Sequence, residues 1–157
     1  MIGVTGPVLA AQQFFRGMRE EQLAALAAGA SAVVFPAGHR IFEDGGHAGS
    51  FWLIRSGHVV LDADMPGDVP AVVDSIGIGE LIGWSWLLPP YRWAFGAVCV
   101  TEVEAIQFGA AAVRSACAVD PALGYELTRR MLRVMARRLR SARTRLAVRP
   151  ANVTGPY

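Results

Sequence analysis

Five short runs rich in β-branched and aromatic residues follow one another between residues 30 and 77: ASAVVFPAG, HRIFEDGG, FWLIRSG, HVVLDADMPGD and PAVVDSIG. Each is ended by glycine, proline or aspartate. Strands this short, with turn residues at roughly 8–12-residue spacing, predict an antiparallel barrel or jelly roll. A further pair, AFGAVCV and VEAIQF, follows residue 93. The fold class is therefore mainly β, with helices only at the flanks.

The flanking helices have their own signals. FFRGMREEQLAALAAGA (14–30) reads as a short helix with Met18, Leu23 and Leu26 on one face. Glu20 and Glu21 suit its positive N-terminal end. Residues 1–13 read as a flexible lead-in. A short helix near 110–117 precedes a long one. Asp120 is a good N-cap and Pro121 sits where its missing N–H costs nothing; the next proline is Pro150. A helix to Leu146 would extend about 40 Å. Along it Tyr125, Thr128, Leu132, Met135, Leu139, Ala142 and Leu146 alternate steps of three and four. That is a heptad seam, which predicts a homodimer through this helix. The competing reading packs the same stripe on the chain's own barrel. Residues 148–157 read as a flexible tail, and the Asn152-Val153-Thr154 sequon within it lacks a secretory signal to give it meaning.

At 157 residues the chain makes one domain with a real core. Although 53% of residues are hydrophobic, charges, glycines and prolines break every run before the roughly 20 apolar residues of a spanning helix. The N-terminus has no basic region of the signal-peptide kind. Cys99 and Cys117 are isolated and fit free thiols in a reducing cytoplasm. His39, His47 and His58 show no metal spacing. No nucleophile elbow or phosphate-binding strand-to-helix loop occurs, and Asp62 and Asp64 read as solvent-facing carboxylates near a strand end. The expectation is a non-enzymatic protein.

Charge is segregated. Residues 1–128 carry six arginines and all thirteen acids; residues 129–157 carry nine arginines and none; there is no lysine. The arginines around the seam need counter-charge. The acidic body supplies it, or an acidic protein, a nucleic acid or a membrane surface does.

FFRGMREEQLAALAAGA, FPAGHRIFEDGG, FWLIRSGHVVL and IGIGELIG, in this order, resemble the cyclic nucleotide-binding domains of the catabolite activator protein and its relatives. The likeness runs from about Phe14 to about Leu146, so the domain is placed at 14–147. Pro36-Ala37-Gly38, Gly45-Gly46, Ile54 with Gly57, and Gly77-Ile78-Gly79-Glu80 carry it. It implies a β-jelly roll (double-stranded β-helix), a dimerising C-helix, and a cyclic nucleotide as ligand. It also implies a glutamate for the ribose, and an arginine plus helix N–H groups for the phosphate. The familiar DNA-reading helix-turn-helix would follow the C-helix, and this sequence is expected to lack it.

GELIGWSWLLPPYRWAF (79–95) admits two registers. In one, Gly79, Glu80 and Leu81 form the ribose motif and Arg92 takes the phosphate. In the favoured other, Gly83, Trp84, Ser85, Arg92 and Trp93 hold the ligand positions: Trp84 replaces the glutamate and Trp93 the arginine. Pro89 and Pro90 offer no N–H. A phosphodiester in so apolar a loop would lack partners, at a cost of several kcal/mol. Cyclic AMP and cyclic GMP are thus disfavoured and no other cofactor is expected. Either the tryptophans plug the pocket or it takes a more apolar small-molecule effector.

Overall fold

The computed structural model describes residues 3–148. The tail sequon and residues 149–157 lie outside them. Eight strands form two four-stranded antiparallel sheets. One holds β1 (Ala30–Phe35), β8 (Val103–Gly109), β3 (Ser50–Ser56) and β6 (Leu81–Ile82), in that order. The other holds β2 (Arg40–Phe42), β7 (Gly96–Cys99), β4 (Val59–Ala63) and β5 (Ala71–Ile76). Apart from the β4–β5 hairpin, which stays within one sheet, consecutive strands alternate between the sheets, so the chain winds as a roll. β3 explains itself: Phe51, Trp52, Leu53 and Ile54 are all buried, because this strand is interior to its sheet and covered on both faces. The β3–β4 turn demands its glycine. Gly57 has φ 89°, and a Cβ there would stand 2.2 Å from the Glu102 carbonyl oxygen.

Helices close the roll: α1 (Gly6–Ala10), α2 (Glu20–Ala27), α3 (Ala110–Val119) and α4 (Pro121–Val148). The lead-in expected at residues 1–13 thus contains a helix, pinned by Leu9, which is fully buried. The helix expected over 14–30 is shorter. A 3-10 turn covers Gln13–Phe15, Gly17 breaks the path at φ 83°, and α2 starts at Glu20 with Gln22 accepting the Arg19 N–H at 3.1 Å. Met18, Leu23 and Leu26 are buried as their spacing implied.

A column of rings ties these layers together. Phe15 meets Phe108 at 5.5 Å, Phe108 meets Phe51 at 4.8 Å, and Phe51 stacks on Trp86 at 4.5 Å. Asp120 caps α4, accepting the Ala122 N–H at 3.1 Å. Two apolar rows run along α4. Leu123, Leu127, Met131 and Val134 are buried against the domain. Tyr125, Leu132, Leu139 and Leu146 are each about two-thirds exposed. The heptad row is therefore not the one that covers the barrel. No helix among the described residues is long and apolar enough to cross a membrane.

Asp62 overturns its expected exposure. It is buried and takes a two-pronged ion pair from Arg40, at 3.0 and 2.8 Å. The pairing of β4 with β7 turns its carboxylate over Gly96, where a Cβ would meet it at 2.3 Å. The Arg40 hydrogen bonds hold the Asp62 carboxyl below its ordinary pKa and raise that of Arg40.

Candidate functional site

Residues 83–95 connect β6 to β7 across one mouth of the roll. The segment is zipped to the β2–β3 turn by backbone. The Trp93 N–H donates to Gly46 O at 2.8 Å, Gly45 N–H to Trp93 O at 2.8 Å, and Ala48 N–H to Tyr91 O at 2.7 Å. These bonds aim the Trp93 ring inward and the Arg92 side chain outward. Trp93 is buried and stacks on Phe42 at 4.0 Å, with Trp52 beyond it at 5.9 Å.

Gly83 is where the indole closes on the chain. It has φ 87°, and a Cβ there would come within 2.8 Å of Trp93 Cζ3. Only glycine admits both this backbone turn and this approach. Trp84 and Ser85 join Trp93 and Gly83 around what space remains, with Phe42, Leu61, Ala94, Phe95 and Arg138. That space is a cavity of about 10 Å³. A cavity this small barely admits one water.

Arg92 does not reach it. Its guanidinium donates to Gly45 O at 3.0 Å on the exposed side. Glu80 is also elsewhere: its carboxylate accepts the Gly77 N–H at 2.8 Å and faces α4. Gly79, at φ 81°, donates its N–H to Ile54 O at 2.8 Å, and Leu81 is buried in β6 beside Leu53. Glu80 and Arg92 therefore share no cavity. Residues 85–90 form turns and bends rather than a helix.

Two arginines serve this region without having been singled out. Arg114 of α3 donates to Trp86 O at 2.8 Å and lies 4.3 Å from the Tyr91 ring centroid, latching the loop. It is the single charge of its helix, but nothing in the sequence names its partner. Arg138 donates to the Leu81 carbonyl and lines the residual cavity. Burial lowers its pKa, while Asp74 and Glu80 act the other way. A usable signal existed here. Residues 123, 127, 131, 134 and 138 continue one helix face, and the last of that row is an arginine.

Trp86 is almost wholly buried, and among the described residues its indole N–H has no partner. Burial raises the pKa of both Cys99 and Cys117. No group of three metal-ligating side chains occurs among the described residues.

A two-sheet roll sealed by helices, with a glycine-anchored loop across its mouth and a long helix behind, defines a double-stranded β-helix of the jelly-roll class. Residues 32–120 match the family model described as the cyclic nucleotide-binding domain. The chain belongs to that family. It is 31% identical over 140 residues to the CRP-like cAMP-activated global transcriptional regulator of Mycobacterium tuberculosis. That match covers 89% of this chain and 61% of the regulator, so the chain spans under two-thirds of that relative's length. A proposed cyclic nucleotide-binding protein from Geobacter metallireducens GS-15 superposes with TM-score 0.79 at 26% identity, covering 87% of this chain and 98% of that one. The catabolite activator protein of Thermus thermophilus superposes with TM-score 0.66 at 25% identity, over 85% of this chain and 61% of its own.

Proposed function

We propose that this chain is a non-enzymatic regulatory module whose nucleotide cradle is occupied by its own tryptophan, and that it does not bind cyclic AMP or cyclic GMP tightly. One observation carries the reading: the Trp93 indole lies against Gly83 and leaves about 10 Å³. A cyclic nucleotide would have to expel that ring from its stack on Phe42. Its phosphate would then meet Phe42, Phe95 and Leu61 with one half-buried guanidinium, Arg138, in reach. An anion desolvated with so few partners is penalised by several kcal/mol. The favoured register, with Trp84 and Trp93 in the ligand positions, agrees with this arrangement. Any effector of the cradle would be small and apolar.

The exposed row Tyr125, Leu132, Leu139 and Leu146 supports a homodimer through α4. State would pass from the roll to the partner by movement of this helix.

Thermal unfolding with cyclic AMP, cyclic GMP and a cyclic dinucleotide tests the cradle. A ligand at 100 times its Kd adds about 2.7 kcal/mol, a rise of roughly 5–11 °C for a domain of this size. No rise is expected with any of the three. A rise that Trp84 or Trp93 substitution abolishes would overturn the proposal.

A further inference from the structure

Outside the roll, a cavity of about 780 Å³ lies between residues 13–16, the β5–β6 turn and one flank of α4. Small-molecule sites span roughly 300–1,000 Å³. Arg16, Arg129, Arg130, Arg133, Arg137 and Arg140 line it, against one carboxylate, Glu80. That carboxylate is engaged by the Gly77 N–H, and Arg130 is matched by Glu126 at 2.8 Å. Among the described residues, the other five arginines have no salt-bridge partner.

Arg129, Arg133 and Arg137 are spaced four apart on one helix face, so like charge stands over like charge. This arrangement destabilises a helix, and a bound anion relieves it. Guanidinium groups also match phosphate oxygens in two-pronged geometry. The rim adds apolar surface, because Phe14 lines the groove and Ile78 beside it is 72% exposed. The arginine row lies roughly a third of a turn around α4 from the heptad row, at 3.6 residues per turn. Pairing through the heptad row therefore leaves the groove open.

We infer that this groove binds a small organic polyphosphate. Its phosphates lie along Arg129, Arg133, Arg137 and Arg140, and its apolar part rests on Ile78 and Phe14. The charges stand in a recess walled by two loops, which suits a compact anion better than a duplex or a flat bilayer. The inference does not depend on the cradle being plugged.

Isothermal titration of the whole chain with metal-free guanosine triphosphate, inorganic tripolyphosphate and cyclic AMP tests it, at two salt concentrations. The triphosphate is expected to bind with a micromolar Kd that weakens as salt rises, and cyclic AMP to bind at least about tenfold more weakly. Tripolyphosphate is expected to bind more weakly than the nucleotide; equal affinity would overturn the apolar platform. Arg133→Gln with Arg137→Gln should weaken the nucleotide about tenfold or more. Arg143→Gln, which removes a charge outside the groove, should change affinity less than about twofold. Both side chains of the double variant are exposed, and circular dichroism checks that its fold is intact.

Absence of binding by either polyphosphate at about 1 mM and low salt would overturn the inference. So would an equal loss in the Arg143→Gln control. Retention on random duplex DNA or phosphatidylserine vesicles through Arg133 and Arg137, without polyphosphate binding, would assign the row to a macromolecular surface and likewise overturn it.

Discussion

Replacing Trp93 by alanine removes the ring that closes the roll's mouth. Trp93 is 5% exposed and stacks on Phe42 at 4.0 Å. Truncating a buried tryptophan to alanine costs about 3–5 kcal/mol, transfer and cavity together. The lost stack accounts for about 0.5–1.5 kcal/mol of that. At roughly 2–4 °C per kcal/mol for a domain of this size, the midpoint should fall by roughly 6–20 °C. The vacated space is lined by Phe42, Leu61, Trp84 and Phe95 together with Ser85 and Arg138, so it should accept a flat, largely apolar guest. Free indole is the guest of matching shape. At ten times its Kd it would restore about 1.4 kcal/mol. Calorimetric melts of wild type and variant, each with and without millimolar indole, measure both effects. A midpoint within about 2 °C of wild type, with no response to indole, would refute the reasoning. The indole would then not be what fills the cradle.

Gly83→Ala should be costly because it fixes a left-handed backbone, worth roughly 1–2 kcal/mol alone, and presses a methyl within 2.8 Å of Trp93. Urea unfolding of a double-mutant cycle should show a smaller cost in the Trp93→Ala background; equal costs would mean no contact between the two positions. Arg40 holds the Asp62 carboxyl below its ordinary pKa. A depressed folded pKa gives stability that is present above the unfolded value, about 3.9, and lost as pH falls through the folded one. Asp62→Asn should therefore lower stability at neutral pH and flatten the acid limb below about pH 4; an unchanged limb would clear Asp62 of that role. Leu132→Glu with Leu139→Glu puts like charges across the heptad row. Light scattering should report a dimeric wild type and a monomeric variant with an unchanged circular dichroism spectrum. A monomeric wild type would end the self-pairing reading.

Most of the roll was legible from local chemistry. Gly38, Gly45, Gly57, Gly67 and Gly79 set turns at positive φ, and these turns bound the runs that pair as strands. Asp120 and Pro121 set the start of α4 for the same local reason. The errors fell where tertiary contact outvoted local pattern. Residues 14–30 broke into a 3-10 turn and a shorter helix at Gly17, whose φ of 83° no α-helix carries, while Phe15 packs on Phe108 across the layer. Leu9, fully buried, ties its helical segment into the core. Asp62 looked like a surface carboxylate until strand pairing set Arg40 beside it.

The amino-acid sequence alone determined the strands and turns, the capped long helix, and the crowding of indoles into the segment between β6 and β7. These follow from backbone sterics and from the partners each side chain can supply. The tertiary structure alone decided which tryptophan enters the roll and that Arg92 turns outward. It also decided that Glu80 faces α4 and that six arginines gather around one recess. Such outcomes depend on which surfaces the fold brings within a few ångströms of each other, and no local pattern of residues encodes that distance.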